Sequence, residues 1–370
     1  MRIGIIAAAR HPVAEPFAGG LEAHVWLLAD RLRRRGHDVV LFAGPGSDAR
    51  LGVELLDLKR PLISAAARAD VSMCAADWLD EHHAYLELML RLGSGAAGHF
   101  DVVHNHSLHH LPVAMAASVP FPMLTTLHTP PTPWLESALQ VDGARAMAFA
   151  AVSRHTAEAW ADVVPDTVVV PNGVDIERWQ PGPGGGPLAW SGRIAPEKGT
   201  HLAIDAAQLA GVPLVVAGPV ADRRYFEAEV EWRLRLPGVA YAGHLTHDGL
   251  GRLLGGASAA LVTPCWDEPY GLVVAEAMAC GTPVCAFDRG AVGEVVGRDS
   301  GRLATPDDVP ALAAAAVDAM ALDRAAVRAH AVATCSLEVM VDRYEALYRR
   351  LGRPGSARHR DAPQTASVAA

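Results

Sequence analysis

The stretch EPYGLVVAEAMACGTPVCAF, Glu268 to Phe287, decides how this chain is read. Glu268 precedes a Pro-Tyr-Gly turn, and Glu276 stands eight positions later inside an apolar, alanine-rich run. Gly271 lets the backbone approach a ligand closely and opens a predicted helix, Leu272 to Ala279. The amides of Leu272 and Val273 then face an anion at the helix N-terminus. A loop carboxylate and a helix carboxylate at this offset can grip hydroxyls at two ends of one ligand, for example a sugar and a ribose. The plainer reading is a capping carboxylate plus an ordinary helix glutamate, which explains each residue separately.

Upstream, WSGRIAPEKGTHL (Trp190 to Leu202) ends a strand at Ser191, carries Arg193 and Lys198, and enters a helix after Gly199. Arginine offers a bidentate fork and lysine a point charge, and the helix N-terminus adds free amides. Together they suit a diphosphate; the alternative is two solvated cations flanking a turn. In FAGGLEAHV (Phe17 to Val25), Gly19-Gly20 makes an anion-friendly turn before another helix. The dinucleotide fingerprint GxGxxG does not follow the first strand, which counts against NAD or FAD there. His128 ends the strand MLTTLHT, where cleft residues sit, and His104 and His106 end another, with His109 and His110 just beyond. That cluster suggests a metal, but no carboxylate or cysteine partner has ligand spacing, so polar packing and no metal are expected.

At 370 residues, 51% apolar and 20% charged, the chain reads as a soluble globular protein of two domains. A net charge of −9 argues against nucleic acid as a partner. The five cysteines (Cys74, Cys265, Cys280, Cys285, Cys335) form no CxxC pair and are expected to be buried thiols in a reducing cytoplasm. The N-terminus MRIGIIAAARHP is too short in its apolar core for a signal peptide and reads as a first strand. No run reaches the length of a membrane span.

Strand and helix alternate along the chain, which implies parallel sheets covered on both faces. Residues 1–175 form the expected first Rossmann-like domain, with strands at Ile3–Ala9, Asp38–Gly44, Phe100–Ser107, Met123–Thr129 and Ala148–Ser153 and a helix stopping at Gly36. Residues 176–187, containing the run QPGPGGGP, form the linker. Residues 188–335 form a second α/β domain, 336–352 a final helix, and 353–370 a disordered tail. Helical stretches are expected near Thr200–Leu209, Leu250–Gly255, Pro310–Ala331 and Leu337–Leu351. Two doubly wound domains in series place strand carboxyl ends face to face across a cleft.

At these residues the sequence resembles glycosyltransferase family 4 (GT4), retaining enzymes of the GT-B fold that use nucleotide-sugar donors. The resemblance runs from Met1 to about Leu351. EPYGLVVAE matches the family's E-x7-E motif, SGRIAPEKG its phosphate-binding segment, AGGLEAHV its glycine loop, and PNGVD (Pro171–Asp175) the segment before the linker. The resemblance implies a doubly wound acceptor-side domain, a nucleotide-sugar-binding domain and a last helix crossing back to the first domain. It implies that Arg193 and Lys198, with the Leu272 and Val273 amides, neutralise the donor diphosphate, near which Gly20 lies. Glu268, Tyr270 and Gly271 would hold the donor sugar, Glu276 the ribose, and backbone near Leu245 the base. His128 would sit by the anomeric centre. Transfer would proceed on one face of the sugar without a divalent metal or other cofactor, with a UDP-sugar placed ahead of a GDP-sugar. Glu268 is better read as positioning the sugar than as a nucleophile. Tyr270 stands where Phe is commoner, and RGAVGEVV (Arg289–Val296) replaces the usual Gly-Gly-x-Pro-Glu, with Glu294 keeping the acidic position.

Other classes fit less well. A sugar-nucleotide 2-epimerase of the same architecture does not share EPYGLVVAE. A nucleotide-sugar sensor or inactive subunit would not need the intact set Gly20, His128, Arg193, Lys198, Glu268 and Glu276. A phosphorylase with a lysine-bound cofactor is a longer chain. The acceptor, whether small molecule, glycan or lipid-linked, is not named by the sequence. RLRRRGH (Arg31–His37) raises peripheral contact with anionic lipid, but cations at a helix C-terminus also suit its dipole, and that reading is preferred.

Overall fold

The computed structural model describes residues 1–56, 62–70, 76–141 and 147–352. The expected disordered tail, 353–370, and Cys74 lie outside the described residues.

The apolar runs form two parallel sheets. The first contains β1 (Arg2–Ile6), β2 (Asp38–Ala43), β3 (Val53–Leu55), β4 (Val102–Asn105), β5 (Met123–Leu127), β6 (Ala148–Ala151) and β7 (Val168–Val169), in the order β3-β2-β1-β4-β5-β6-β7. The second contains β8 (Leu188–Ser191), β9 (Leu214–Ala217), β10 (Val239–Tyr241), β11 (Ala260–Val262), β12 (Val284–Phe287) and β13 (Gly301–Ala304), in the order β10-β9-β8-β11-β12-β13. Strands β4, β5 and β12 are buried along their whole length, as continuous apolar runs covered on both faces should be. Each sheet reverses its winding once, between β1 and β4 and between β8 and β11. Ligands of open α/β sheets bind outside the strand ends at such a reversal.

The final helix, Leu337–Leu351, returns to the first domain. It buries Leu337, Met340, Val341, Tyr344, Leu347 and Tyr348 in one core with Ile3, Ile5, Val25 and Leu28. Burial of each large apolar side chain contributes about 1.5–3 kcal/mol, enough to hold this helix far from its sequence neighbours. Its acids meet the basic end of the first helix, Gly20–Arg34. Arg31 and Arg35 both pair with Glu338, Arg35 also reaches Asp342 at 2.6 Å, and His37 reaches Glu345 at 3.1 Å. Arg34 pairs with Asp30 at 2.8 Å. The basic run is thus engaged with carboxylates, which removes most of the reason to read it as a lipid-binding patch. Among the described residues, no helix is long and apolar enough to cross a membrane.

The stretch Pro310–Ala331 is two helices, Val309–Ala319 and Arg324–Thr334, because Asp323 caps the second by accepting from the Ala325 amide. The short strands β3, β7 and β13 and the helix Ala76–Ser94 complete the layers without having been predicted.

Candidate active site

One cleft of about 1000 Å³ runs between the carboxyl ends of the two sheets. Gly20, His128, Arg193, Lys198, Leu245, Glu268, Tyr270, Gly271, Leu272, Val273 and Glu276 all line it. Residues scattered over the chain therefore converge on one site.

The second domain supplies charge and free amides. Gly271 adopts φ +89°, in the left-handed region, and begins the helix Leu272–Ala279 with no side-chain cap. The first amides of that helix have no capping side chain, and they open onto the cleft. Gly199, at φ +61°, does the same for the helix Thr200–Ala210. A Cβ on Gly199 would stand 2.2 Å from the Thr263 carbonyl oxygen. Helices elsewhere are capped by Asp308, Asp323, Ser153 and Ser336. The uncapped termini are the ones suited to an anion. Thr263 fixes the loop between them: the Trp190 indole N–H donates to its hydroxyl at 3.0 Å, and the hydroxyl donates to the Gly199 carbonyl at 2.9 Å.

Lys198 Nζ donates to Glu268 Oε2 at 2.5 Å, and the Trp266 indole N–H donates to the same oxygen at 3.0 Å. The lysine also lies 5.2 Å from the centre of the Trp266 ring. Trp266 was not foreseen, although it sits two residues before Glu268 in the decisive stretch. Arg193 is exposed and, among the described residues, pairs with Glu197 at 3.4 Å, so its guanidinium can turn to a ligand. Glu276 lies over one turn into the helix, and burial pushes its carboxyl up to about 7. Tyr270 is only 5% exposed and packs in the core with its hydroxyl beside Cys335, so it forms the floor more than it projects.

Glu294, which keeps the acidic position of RGAVGEVV, faces the first domain. Its carboxylate accepts from the Arg154 amide at 3.0 Å and the His155 amide at 2.7 Å. It therefore caps a helix of the first domain, Arg154–Ala159, and ties the two domains together. Cys265 is half-buried, whereas Cys280, Cys285 and Cys335 are fully buried thiols.

The first domain supplies imidazoles and glycine. Gly20 begins the first helix behind an uncapped Gly19, and an added Cβ there would meet Leu272 Cδ1 at 3.1 Å. The two walls touch at this point. The HxHxxHH run splits into two clusters. His104 and His106 turn inward to His128 and to His24 of the first helix, which was not singled out from sequence. His109 and His110 turn the other way and stack with Tyr85 and Trp134. Burial lowers the His24 imidazole to about 4, and lowers His104, His106 and His128 well below the usual histidine range. All four are neutral at physiological pH. Ring nitrogens of His24, His106 and His128 lie within 4.8 Å of one another, a spacing that would admit an ion. His106, however, uses one ring nitrogen on His128 and the other on His104. That is the geometry of polar packing.

Among the described residues, two buried hydroxyls at the cleft lack a protein partner, Thr129 Oγ1 and Ser191 Oγ, and Asn172 Oδ1 has none but the neighbouring His24 ring. Thr129, Asn172 and Ser191 line the cleft directly. Buried polar groups are rarely left unpaired, so these atoms point to a polar ligand or water.

Comparison with known proteins agrees with this arrangement. Residues 18–178 match the model for Glycosyltransferase Family 4, and residues 185–332 match Glycosyl transferases group 1. The chain is 30% identical over 355 residues to glycogen synthase of Mycobacterium tuberculosis, covering 85% of each chain. It is 28% identical to phosphatidyl-myo-inositol mannosyltransferase of Mycolicibacterium smegmatis, covering 92% of this chain and 89% of that one. In fold it is similar to sucrose-phosphate synthase of Thermosynechococcus elongatus, with TM-score 0.75 at 22% identity, covering 95% and 98% of the two chains. The Anabaena protein HepE in complex with UDP and glucose superposes with TM-score 0.73 at 18% identity, covering 94% and 99%. With two facing doubly wound domains and both halves matched in order, the chain belongs to the GT4 glycosyltransferases of GT-B fold.

Proposed function

We propose that this glycosyltransferase moves a hexose-type sugar from a nucleoside diphosphate sugar to an acceptor, with retention of configuration and without a divalent metal or other cofactor. The observation that carries the reading is the convergence of Arg193, Lys198 and the uncapped Leu272–Ala279 N-terminus on one wall of the cleft. When the bond from the anomeric carbon to the phosphate oxygen breaks, the departing diphosphate gains charge. Fixed cations and amides stabilise that charge without reorganisation. The acceptor oxygen bonds to the same face of the sugar, and its proton passes to the departing phosphate oxygen. Glu268 is held by both Lys198 and Trp266, which suits a carboxylate orienting sugar hydroxyls and blunts it as a nucleophile. Glu276 is the ribose carboxylate, and the wall at Leu245 receives the base. His128 stands across the cleft, beside the reacting sugar.

The relatives include proteins named for glycogen, phosphatidyl-myo-inositol and D-inositol 3-phosphate chemistry, so the acceptor class stays open. A cytoplasmic site of action fits free cysteines and a nucleotide-sugar supply. The test is a thermal-shift panel with UDP-, GDP-, ADP- and dTDP-sugars, UDP-sugars first, with EDTA and Arg193→Ala as controls. Stabilisation by one nucleotide, kept in EDTA and lost in the variant, is the expected result. Absence of a shift with every nucleotide would overturn the donor assignment.

A further inference from the structure

A continuous hydrogen-bonded line joins the final helix to His128. Tyr348 Oη lies 2.7 Å from His104 Nδ1, His104 Nδ1 lies 3.1 Å from His106 Nε2, and His106 Nδ1 lies 2.9 Å from His128 Nε2. The far nitrogen of His104, Nε2, lies 2.8 Å from Thr126 Oγ1. Tyr348, His104 and His106 are each 0% exposed, and His128 is half-buried at the cleft.

The proton positions follow from which groups must donate. A neutral imidazole carries one N–H and one lone pair. The Tyr348 phenol stays protonated, since burial raises it well above its ordinary value, and its partner among the described residues is His104 Nδ1. His104 Nδ1 is therefore the acceptor, and its proton sits on Nε2, donated to Thr126 Oγ1. His106 Nε2 faces that same lone pair, so it must carry a proton or set two lone pairs against each other. His106 Nδ1 is then an acceptor, and the proton between it and His128 belongs to His128 Nε2. This leaves His128 Nδ1 as a lone pair.

We propose that Tyr348, on the helix that crosses back from the second domain, is a positioning residue that sets the tautomer of His128 through His104 and His106. Removing the phenol oxygen lets His104 Nδ1 either go on accepting from His106 Nε2 or donate to it, since Thr126 Oγ1 can accept from or donate to His104 Nε2. In the second arrangement His106 Nδ1–H donates to His128 Nε2, and the proton of His128 moves to Nδ1, so the two tautomers of His128 share the population. One hydroxyl at the far end thus decides whether His128 Nδ1 is held as an acceptor or divided between acceptor and donor. The catalytic consequence rests on the reading of His128 as the histidine beside the reacting sugar; the tautomer itself does not.

The experiment is 15N NMR of histidine-labelled full-length protein, with the His128 signals identified by their loss in His128→Asn. The His128 proton is expected on Nε2 alone in the wild type and shared between Nε2 and Nδ1 in Tyr348→Phe. Tyr344→Phe removes the neighbouring hydroxyl, which touches Thr126 Oγ1 at 3.2 Å and no imidazole nitrogen, and should leave the wild-type tautomer. Thr126→Val leaves Tyr348 donating to His104 Nδ1 and should keep the wild-type tautomer, so a flip in that variant would assign the decision to Thr126 and overturn the proposal even if Tyr348→Phe folds poorly. In steady-state transfer, Tyr348→Phe should lower kcat by roughly two- to threefold with donor KM unchanged, following the fraction of His128 that leaves the wild-type tautomer. A wild-type His128 protonated on Nδ1, or the same single tautomer in wild type and Tyr348→Phe, overturns the proposal. A shared tautomer in Tyr348→Phe with an unchanged kcat upholds the relay and overturns the placing of His128 beside the sugar.

Discussion

The two walls of the cleft are made by the same topology and opposite chemistry. Both are the carboxyl ends of parallel sheets at a winding reversal. The second-domain wall concentrates charge: Lys198 against Glu268, Arg193 exposed, and a helix N-terminus without a cap. The first-domain wall is held neutral by burial, with His104, His106 and His128 all pushed below the usual histidine range. On the proposed reading, a departing diphosphate would use the fixed positive charge, and an acceptor hydroxyl would be met by the uncharged groups that orient hydrogen bonds. One fold used twice has been specialised by its loops.

The strongest way to break this comparison is to discharge the donor wall. Lys198→Ala should lower kcat/KM by about a hundredfold or more, the range seen when one fixed partner of a developing charge is removed. It also leaves Glu268 held by the Trp266 indole alone, so sugar orientation suffers with phosphate binding. Steady-state kinetics at fixed ionic strength measures this. A rate within threefold of wild type would show that the charge on this wall is not used.

A smaller effect separates the amides from the cations. Gly271→Ala forces a side chain into the left-handed region at φ +89°, at a cost of about 1–2 kcal/mol. Its Cβ would also meet Val274 Cγ2 at 3.3 Å, inside the helix that presents the amides. The thermal midpoint should fall by about 2–4 °C in a chain of this size, and kcat by about tenfold as the amides tilt. A lowered midpoint with full activity would assign the glycine to folding alone and leave the cations as the whole of the anion site.

The second-domain wall was legible in the sequence as a set of neighbours because its parts are local. Glu268, Gly271 and Glu276 lie within nine residues, and a glycine before an apolar helix is a signal that short-range chemistry sets. The first-domain wall was legible only as a list of histidines. The packing of the first helix and of neighbouring strands joins His24, His104, His106 and His128, the return of the final helix adds Tyr348, and no spacing in the chain encodes either contact. The partners of Glu294 were not legible for the same reason: the Arg154 and His155 amides belong to the other domain. Trp266 was within reach, since an indole two residues from a functional carboxylate has an N–H to place. The short strands β3 and β7 carry too few residues for an alternating pattern to register.

Glu276 is the point at which the donor wall departs from its own rule, and it sharpens the comparison most finely. Burial raises its carboxyl from the ordinary 4.5 to about 7, so in the free protein this wall holds a neutral acid below that pH. The folded state then binds more protons than the unfolded chain between these two values. Stability contributed by this group is present at low pH and is lost as pH rises toward 7, remaining lost above it. Glu276→Gln keeps the shape and the neutrality, so its thermal midpoint should exceed that of the wild type by a few degrees at pH 8 and match it near pH 5. Binding should run in the opposite direction. Ribose hydroxyls donate to an ionised carboxylate more strongly than to a neutral one, so donor affinity of the wild type should rise as pH passes through about 7. The glutamine variant should bind several-fold more weakly at pH 8 and lose that pH dependence. A variant that is more stable and binds less would mark Glu276 as a carboxylate kept for the ligand against the preference of the fold. If the glutamine variant is no more stable at pH 8 and binds with the same pH profile, Glu276 is an ordinary helix residue and the ribose must be held elsewhere.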